Sequence, residues 1–173
     1  LDALSEVQWT QPENKNWVNF LDRLQHNIQV YDLKGYNYGK HIFGINPEYR
    51  IIPEKHCIEV TLRTQGDAPV YYTLDGTVPT EKSTRYTQPI ELTENTDLKA
   101  IVVRPGMKTN MFEKEYVFNK ATARKIMLNS APNDRYTFKG GQTLVDGMIG
   151  DIGFATGRWI GFSPGDLDAV IDL

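Results

Sequence analysis

The segment from residue 70 to residue 103 restricts the fold more than any other part of the chain. It starts with an aromatic and β-branched run at 70–73, reaches an Asp-Gly pair at 75–76, and ends in a hydrophobic run at 98–103. Hydrophobic runs that are separated by such turn residues are typical of antiparallel strands. The segment contains no nucleophile next to a base, so it predicts a structural β-module rather than a catalytic centre.

A two-residue period continues over residues 47–118 and predicts an antiparallel β-sandwich. Alternation of apolar and polar residues places one set of side chains on one face of each strand. Turn signals separate the runs at 65–67, 75–76, 94–95 and 105–106. About six or seven short strands fit this spacing, which is typical of an immunoglobulin-like sandwich. The side chains predicted for its core are Ile58, Val60, Leu62, Leu98, Ala100 and Val102.

Residues 1–46 follow a helical pattern and then form a linker. Thr10-Gln11-Pro12-Glu13 has the spacing of a capping box with a proline in the first turn, so it predicts the start of a helix. A glycine-containing segment from residue 35 ends this helix. We expect Trp9 and Trp17 to pack in helix contacts, because apolar residues recur at steps of three and four. The apolar stripe comprises Trp17, Phe20, Leu21, Leu24, Ile28 and Tyr31.

The glycine-rich segment 119–173 predicts an incomplete jelly roll. Strands are expected at 125–128, 143–145, 158–162 and 168–173, but about 55 residues are too few for a closed β-sandwich. Both ends of the chain fall inside apolar periodic runs, and natural termini seldom interrupt packed elements. We therefore expect an internal fragment of a longer protein. It should self-associate through its exposed helix stripe or its cut strands, or else its C-terminal third should be disordered.

The composition argues against two classes of partner. Lys and Arg number 19 against 22 Asp and Glu, which gives a net charge of -3. Nucleic acid and anionic membranes therefore have no electrostatic basis for binding, and no apolar run reaches the roughly 20 residues that span a bilayer. The single cysteine, Cys57, cannot form an intramolecular disulfide. His26, His41 and His56 do not have the spacing of metal ligands.

Two stretches resemble successive parts of one enzyme family. The pattern Tyr-Thr-x-Asp-Gly-x-x-Pro-Thr at 72–80, with Pro-Ile at 89–90 and Lys-Ala-Ile at 99–101, resembles the small β-sandwich that follows the catalytic barrel of bacterial chitobiases and β-N-acetylhexosaminidases. The motifs Leu-Ser-Glu-Val-Gln-Trp-Thr at 4–10 and Tyr-Asn-Tyr at 36–38 resemble the end of the catalytic barrel in family 20 glycoside hydrolases.

A third stretch resembles the start of a discoidin-type, galactose-binding-like jelly roll. It contains Leu-Val-Asp-Gly at 144–147 and Trp-Ile-Gly-Phe at 159–162. The order of the three parts is that of β-hexosaminidases from gut Bacteroidetes. The resemblance implies the end of a barrel and a linker at 1–46, the sandwich at 47–118, and a truncated discoidin-like domain at 119–173.

The resemblance implies a periplasmic or secreted parent enzyme that removes terminal N-acetylhexosamine from glycans with retention. In that family the acetamido group of the substrate is the nucleophile, while an adjacent Asp-Glu pair orients it and supplies the acid. This sequence has no adjacent Asp-Glu pair and no recognisable Ser-His or Cys-His arrangement, so no catalytic residue can be assigned. We predict a non-catalytic accessory fragment. The alternative is a carbohydrate-binding or adhesion module that acts through the discoidin-like part.

Asp146 and Asp151 are the candidates for a metal site. The resembling modules often hold a structural calcium ion through carboxylates and carbonyls, and no other cofactor is expected. For both residues we favour the competing interpretation, turns of a glycine-rich loop that the aspartate side chains stabilise. Trp159 could stack on a sugar, but large aromatic residues in strands usually belong to the core, where we place it. Alternation puts Tyr71 and Tyr72 on opposite faces, which disfavours a joint sugar platform.

Overall fold

The computed structural model describes residues 2–39, 41–107, 110–148, 150, 152–153 and 158–173. These residues form two α-helices, α1 (Asp2–Trp9) and α2 (Trp17–Lys34), followed by nine β-strands. Neither described helix combines the length and the apolar character that a membrane span requires. The strands are β1 (Asn46–Ile52), β2 (Cys57–Arg63), β3 (Val70–Thr73), β4 (Thr84–Arg85), β5 (Ile90–Leu92), β6 (Thr96–Val102), β7 (Phe112–Tyr116), β8 (Lys125–Leu128) and β9 (Ala169–Asp172).

The first seven strands build two sheets that pack as a sandwich. One sheet has the order β1-β2-β5 and the other has the order β4-β3-β6-β7. All of their strand pairs are antiparallel. β8 and β9 form a separate antiparallel pair. The fold is therefore mainly β with an N-terminal helical segment, which confirms the fold class predicted from the sequence.

The sandwich core is built from one face of each strand. In β6 buried and less buried residues alternate along the whole strand, because successive side chains point to opposite faces of a sheet. All six side chains predicted for the core are buried, which confirms the predicted register. The core residues of β2, β6 and β7 include Ile58, Val60, Leu62, Leu98, Ala100, Val102 and Tyr116.

Helix α2 begins later than the sequence indicates. Asn16 caps it, and the Oδ1 of Asn16 accepts a hydrogen bond from Asn19 N at 3.0 Å. The capping box predicted at Thr10 is wrong, because Pro12–Asn14 forms only a short 3₁₀ helix without a side-chain cap. Gly35 ends α2 in the left-handed conformation, with φ 67°, which glycine adopts at little cost.

The two tryptophans of the helical segment lie on its surface. Trp9 is 85% exposed, so the expectation that it packs in a helix contact is wrong. Trp17 is 57% exposed, but its ring packs on Phe20 of the same helix, with 5.5 Å between the ring centroids. Helix α1 has only eight residues, and it meets α2 through an ion pair between Glu6 and Arg23 at 2.7 Å. A helix of this length covers only part of its neighbour. Phe20, from the predicted stripe, is buried.

Arg104 fastens the linker between α2 and β1 to the sandwich. Its guanidinium carbon lies 5.0 Å from the centroid of the Phe43 ring, within the range of a cation–π contact. Arg104 also donates a hydrogen bond to Thr64 Oγ1 at 3.2 Å. Gln29 of α2 donates to the carbonyl of Pro105 at 3.4 Å. These contacts hold the helical segment against the loop that follows β6.

The C-terminal third forms fewer strands than the sequence indicates. β8 and β9 confirm the first and the last of the four expected strands. The strand expected at 143–145 is wrong, because Gly140–Leu144 is a 3₁₀ helix. The strand expected at 158–162 is wrong as well, because these residues adopt no regular structure. Glycine weakens strands and favours turns, so its density in this segment indicates loops.

Residues after β7 contribute to the same core as the sandwich strands. Ala123 and Val145 are buried in that core, and Ala123 N donates to Val145 O at 2.8 Å. Gly147 has φ 68°, and a Cβ at this position would lie 2.8 Å from the carbonyl oxygen of Val117. This close approach requires glycine. The turn at 145–147 is therefore packed directly onto the end of the sandwich.

Candidate functional site

The described residues do not assemble a metal-binding cluster of recognisable form. Among them, no group of three or more His, Cys, Asp or Glu side chains is placed to hold a metal ion. Cys57 is a buried free thiol, and burial raises its pKa, so it is a poor nucleophile in this state.

A cavity of about 240 Å³ lies between β1 and the C-terminal segment. β1 supplies one wall through Tyr49, and the loops that follow β8 supply the others. The cavity combines aromatic rings, a buried carboxylate and one cationic side chain, which is the mixture found in small-ligand sites. The residues used in the argument below are Tyr49, Phe138, Asp146, Arg158 and Trp159.

Asp146 is the buried charged group of this cavity. It is only 3% exposed, and burial raises the pKa of its carboxyl despite the opposing hydrogen bonds and nearby cations. Its Oδ1 accepts from Met148 N at 2.9 Å, and its Oδ2 accepts from Tyr49 OH at 3.4 Å. The first contact is the turn hydrogen bond that the sequence predicts for an Asp-Gly pair. The second contact links the turn to β1.

Lys139 approaches the cavity wall from the C-terminal segment. Its Nζ lies 3.6 Å from the centroid of the Tyr49 ring and 5.8 Å from the centroid of the Phe138 ring. Nζ also donates to the carbonyl of Tyr49 at 3.1 Å. Burial lowers the pKa of Lys139, while the negative charge of Asp146 acts in the opposite direction. One tyrosine therefore contacts both a carboxylate and an ammonium group.

The structure describes only one of the two predicted calcium ligands. Asp146 lies in the cavity, while Asp151 lies outside the described residues. Both carboxylate oxygens of Asp146 already accept hydrogen bonds from protein groups. The positive charges of Lys139 and Lys114 only partly oppose the rise in its pKa that burial causes. The calcium site at these two aspartates stays a prediction.

Trp159 does not occupy the core position that the sequence predicts. It lines the cavity and is 43% exposed, because the strand expected around it is absent. Its ring lies so close to Gly150 that a Cβ at Gly150 would be 2.9 Å from Trp159 Cε2. The assignment of Trp159 to the core is therefore wrong. The indole instead lines the cavity with part of its surface exposed.

The tyrosines of β3 confirm the predicted alternation. Tyr72 forms an edge-to-face pair with Tyr86, and Tyr86 OH accepts from Leu62 N at 3.1 Å. Tyr72 thus packs on the core side of its sheet. Tyr71, its neighbour, lies opposite Arg85 in the strand pair and points to the other face. A joint aromatic platform of Tyr71 and Tyr72 is therefore not formed.

Sequence reasoning did not identify Tyr49, Phe138 or Lys139. The contact between Lys139 and Tyr49 joins residues 90 positions apart, and no local pattern reports such a pairing. Asp75, in contrast, was recognisable because its partner is local. Its Oδ1 accepts from Thr77 N at 3.1 Å and from Thr77 Oγ1 at 2.6 Å, which confirms the turn role.

Comparison with known proteins identifies two similarities of this chain. A family model described as "Fn3 associated" matches residues 60–116, which begin within β2 and end with β7. Over 111 residues the chain is 32% identical to a Beta-hexosaminidase of Porphyromonas gingivalis. This alignment covers 61% of the chain and 14% of that protein, so the chain corresponds to a small part of the length of its relative. The chain is thus similar to part of a β-hexosaminidase.

Proposed function

We propose that this chain is a non-catalytic accessory region of a family 20 β-N-acetylhexosaminidase. The observation that carries the proposal is the 111-residue similarity to a β-hexosaminidase. The β-sandwich supports it, because a sandwich of short strands suits a scaffolding role next to a larger catalytic domain. In this proposal residues 1–46 end the catalytic barrel, residues 47–118 form the supporting sandwich, and residues 119–173 begin a discoidin-like domain.

The proposed parent enzyme hydrolyses terminal N-acetylhexosamine residues of glycans and works in the periplasm or outside the cell. Its mechanism requires an adjacent Asp-Glu pair, which orients the acetamido nucleophile and protonates the leaving group. The sequence of this chain lacks that pair. The reaction is therefore assigned to a catalytic domain that precedes the accessory region, and the accessory region stabilises that domain.

The test is an assay with an aryl N-acetylglucosaminide in two settings. The chain alone is expected to release no aryl alcohol, because it lacks the two catalytic carboxylates. Joined to the family 20 barrel of its parent enzyme, it is expected to raise the melting temperature of the barrel. Release of aryl alcohol by the purified chain, lost on a substitution within it, would refute the proposal. An unchanged melting temperature of the barrel would refute the supporting role.

Binding of a glycan through the C-terminal segment is the second candidate function. The observation that favours it is the partly exposed indole of Trp159 beside a cavity with a buried carboxylate, since an aromatic face and a carboxylate can bind opposite sides of a sugar ring. Calorimetric titration with galactose and N-acetylglucosamine tests it. Trp159→Ala should abolish binding, while Trp9→Ala, at an exposed position outside the cavity lining, should not. Absence of binding by the unmodified chain would refute this candidate.

A further inference from the structure

We propose that Tyr49, Phe138 and Asp146 form a binding site for an alkylammonium group, and that the resident ligand of this site is the side chain of Lys139. We call this group of three residues the ammonium cage. The inference concerns a binding site that holds the C-terminal segment to the sandwich. It does not depend on the proposed function.

The contacts of Lys139 Nζ carry the argument. It lies 3.6 Å from the Tyr49 ring centroid and 5.8 Å from the Phe138 ring centroid. Both distances fall within the ~6 Å over which a cation is attracted to an aromatic face. The same nitrogen donates to the carbonyl of Tyr49 at 3.1 Å. Two rings and one carbonyl therefore surround a single ammonium group.

The charge balance of the site also favours a cation. Asp146 is buried, and Tyr49 OH donates to its Oδ2. Tyr49 therefore offers a ring face to the cation and a hydroxyl to the anion, and the negative charge of Asp146 opposes the lowering of the Lys139 pKa that burial causes. The positive charge of Lys114 also opposes the rise in the pKa of Asp146, and that of Arg158 opposes the rise in the pKa of Tyr49. A cage that contains a buried carboxylate is complementary to a cation and not to an anion.

The location of the ammonium cage allows it to hold the segment after β8 against β1. Tyr49 belongs to β1, an edge strand of its sheet, while Phe138, Lys139 and Asp146 belong to the segment after β8. The Lys139–Tyr49 contact is made across 90 residues of sequence, next to the cavity between the two parts. Loss of the ammonium group should loosen the C-terminal segment from β1 and leave space for a free alkylammonium ion of the same size.

The experiment compares Lys139→Met, which keeps the length of the side chain without its charge, and Lys139→Ala, which empties the cage. Both variants should melt about 2–6 °C below the unmodified chain, and hydrogen exchange should accelerate in residues 134–148. Addition of n-butylammonium chloride should restore the melting temperature of Lys139→Ala with a saturating dose response. Tyr49→Leu, which removes the ring, should abolish this rescue when it is combined with Lys139→Ala.

Lys15→Ala is the matched control, because Lys15 also donates to a backbone carbonyl, that of Val7 at 2.9 Å. n-Butylammonium should not raise the melting temperature of Lys15→Ala. Sodium chloride at equal ionic strength should not raise the melting temperature of either Lys15→Ala or Lys139→Ala. A melting temperature of Lys139→Met equal to that of the unmodified chain would overturn the proposal. An equal effect of n-butylammonium on the Lys15 and Lys139 variants would overturn it as well.

Discussion

Replacement of Val60 by Asp tests the central assignment of the fold. Val60 is fully buried in the middle of β2, opposite Tyr49 of β1 and Ile90 of β5. Its removal forfeits apolar burial worth about 1.5–3 kcal/mol. The new carboxylate would lie among apolar core side chains, and its burial costs several kcal/mol more. The sum approaches the ~5–15 kcal/mol that holds a typical domain together, so Val60→Asp should leave the sandwich largely unfolded at 25 °C.

The matched control is Val78→Asp, the same chemical change at a side chain that is 68% exposed in the loop after β3. It should shift stability by no more than about 0.5 kcal/mol. Guanidinium titration followed by circular dichroism measures both variants. A transition midpoint for Val60→Asp equal to that of the unmodified chain would show that the side chains of β2 face the opposite way and that the reasoning about register is wrong.

Two further predictions concern a turn and a buried phenol. Gly35→Ala, at a positive φ but in open space, should cost about 1–2 kcal/mol from backbone strain alone. Gly147→Ala has a similar φ, and its Cβ would also lie 2.8 Å from a backbone oxygen, so it should cost about 3 kcal/mol. Equal losses of stability on thermal melting would contradict this reasoning. Burial raises the pKa of Tyr116 to about 12, while an unfolded tyrosine ionises near 10. The unfolded state therefore loses its proton first, and the free energy of unfolding should fall by about 2–3 kcal/mol as the pH rises from 10 to 12. Absorbance titration of Tyr116→Phe against the unmodified chain identifies the phenol, and no difference between them above pH 10 would contradict the assignment.

The sandwich could be predicted from the sequence because its signals are local. Each strand carries its own two-residue alternation, and Asp75 finds its hydrogen-bond partner two residues away at Thr77. The core of β2 and β6 follows directly from this pattern, since a one-residue slip would expose every core side chain of a strand. Local patterning was therefore sufficient for the fold class and for the core.

The errors occur where two local signals compete or where the contact is distant. Thr10 and Asn16 are both good capping residues, and only the short 3₁₀ helix between them decides in favour of Asn16. Trp159 was placed in the core because its short apolar run resembles a strand, yet residues 158–162 adopt no regular structure. The ammonium cage joins distant parts of the chain, so only the three-dimensional arrangement reveals it.

The burial of Ala123 and Val145 has a practical consequence for the production of this protein. A gene shortened to end at residue 118 would encode every strand of the two sheets, but it would omit these two core side chains. The remaining polypeptide would expose apolar surface at one end of the sandwich, and such surface promotes aggregation. A shortened gene that is designed to yield a sandwich that does not aggregate should therefore extend through residue 148.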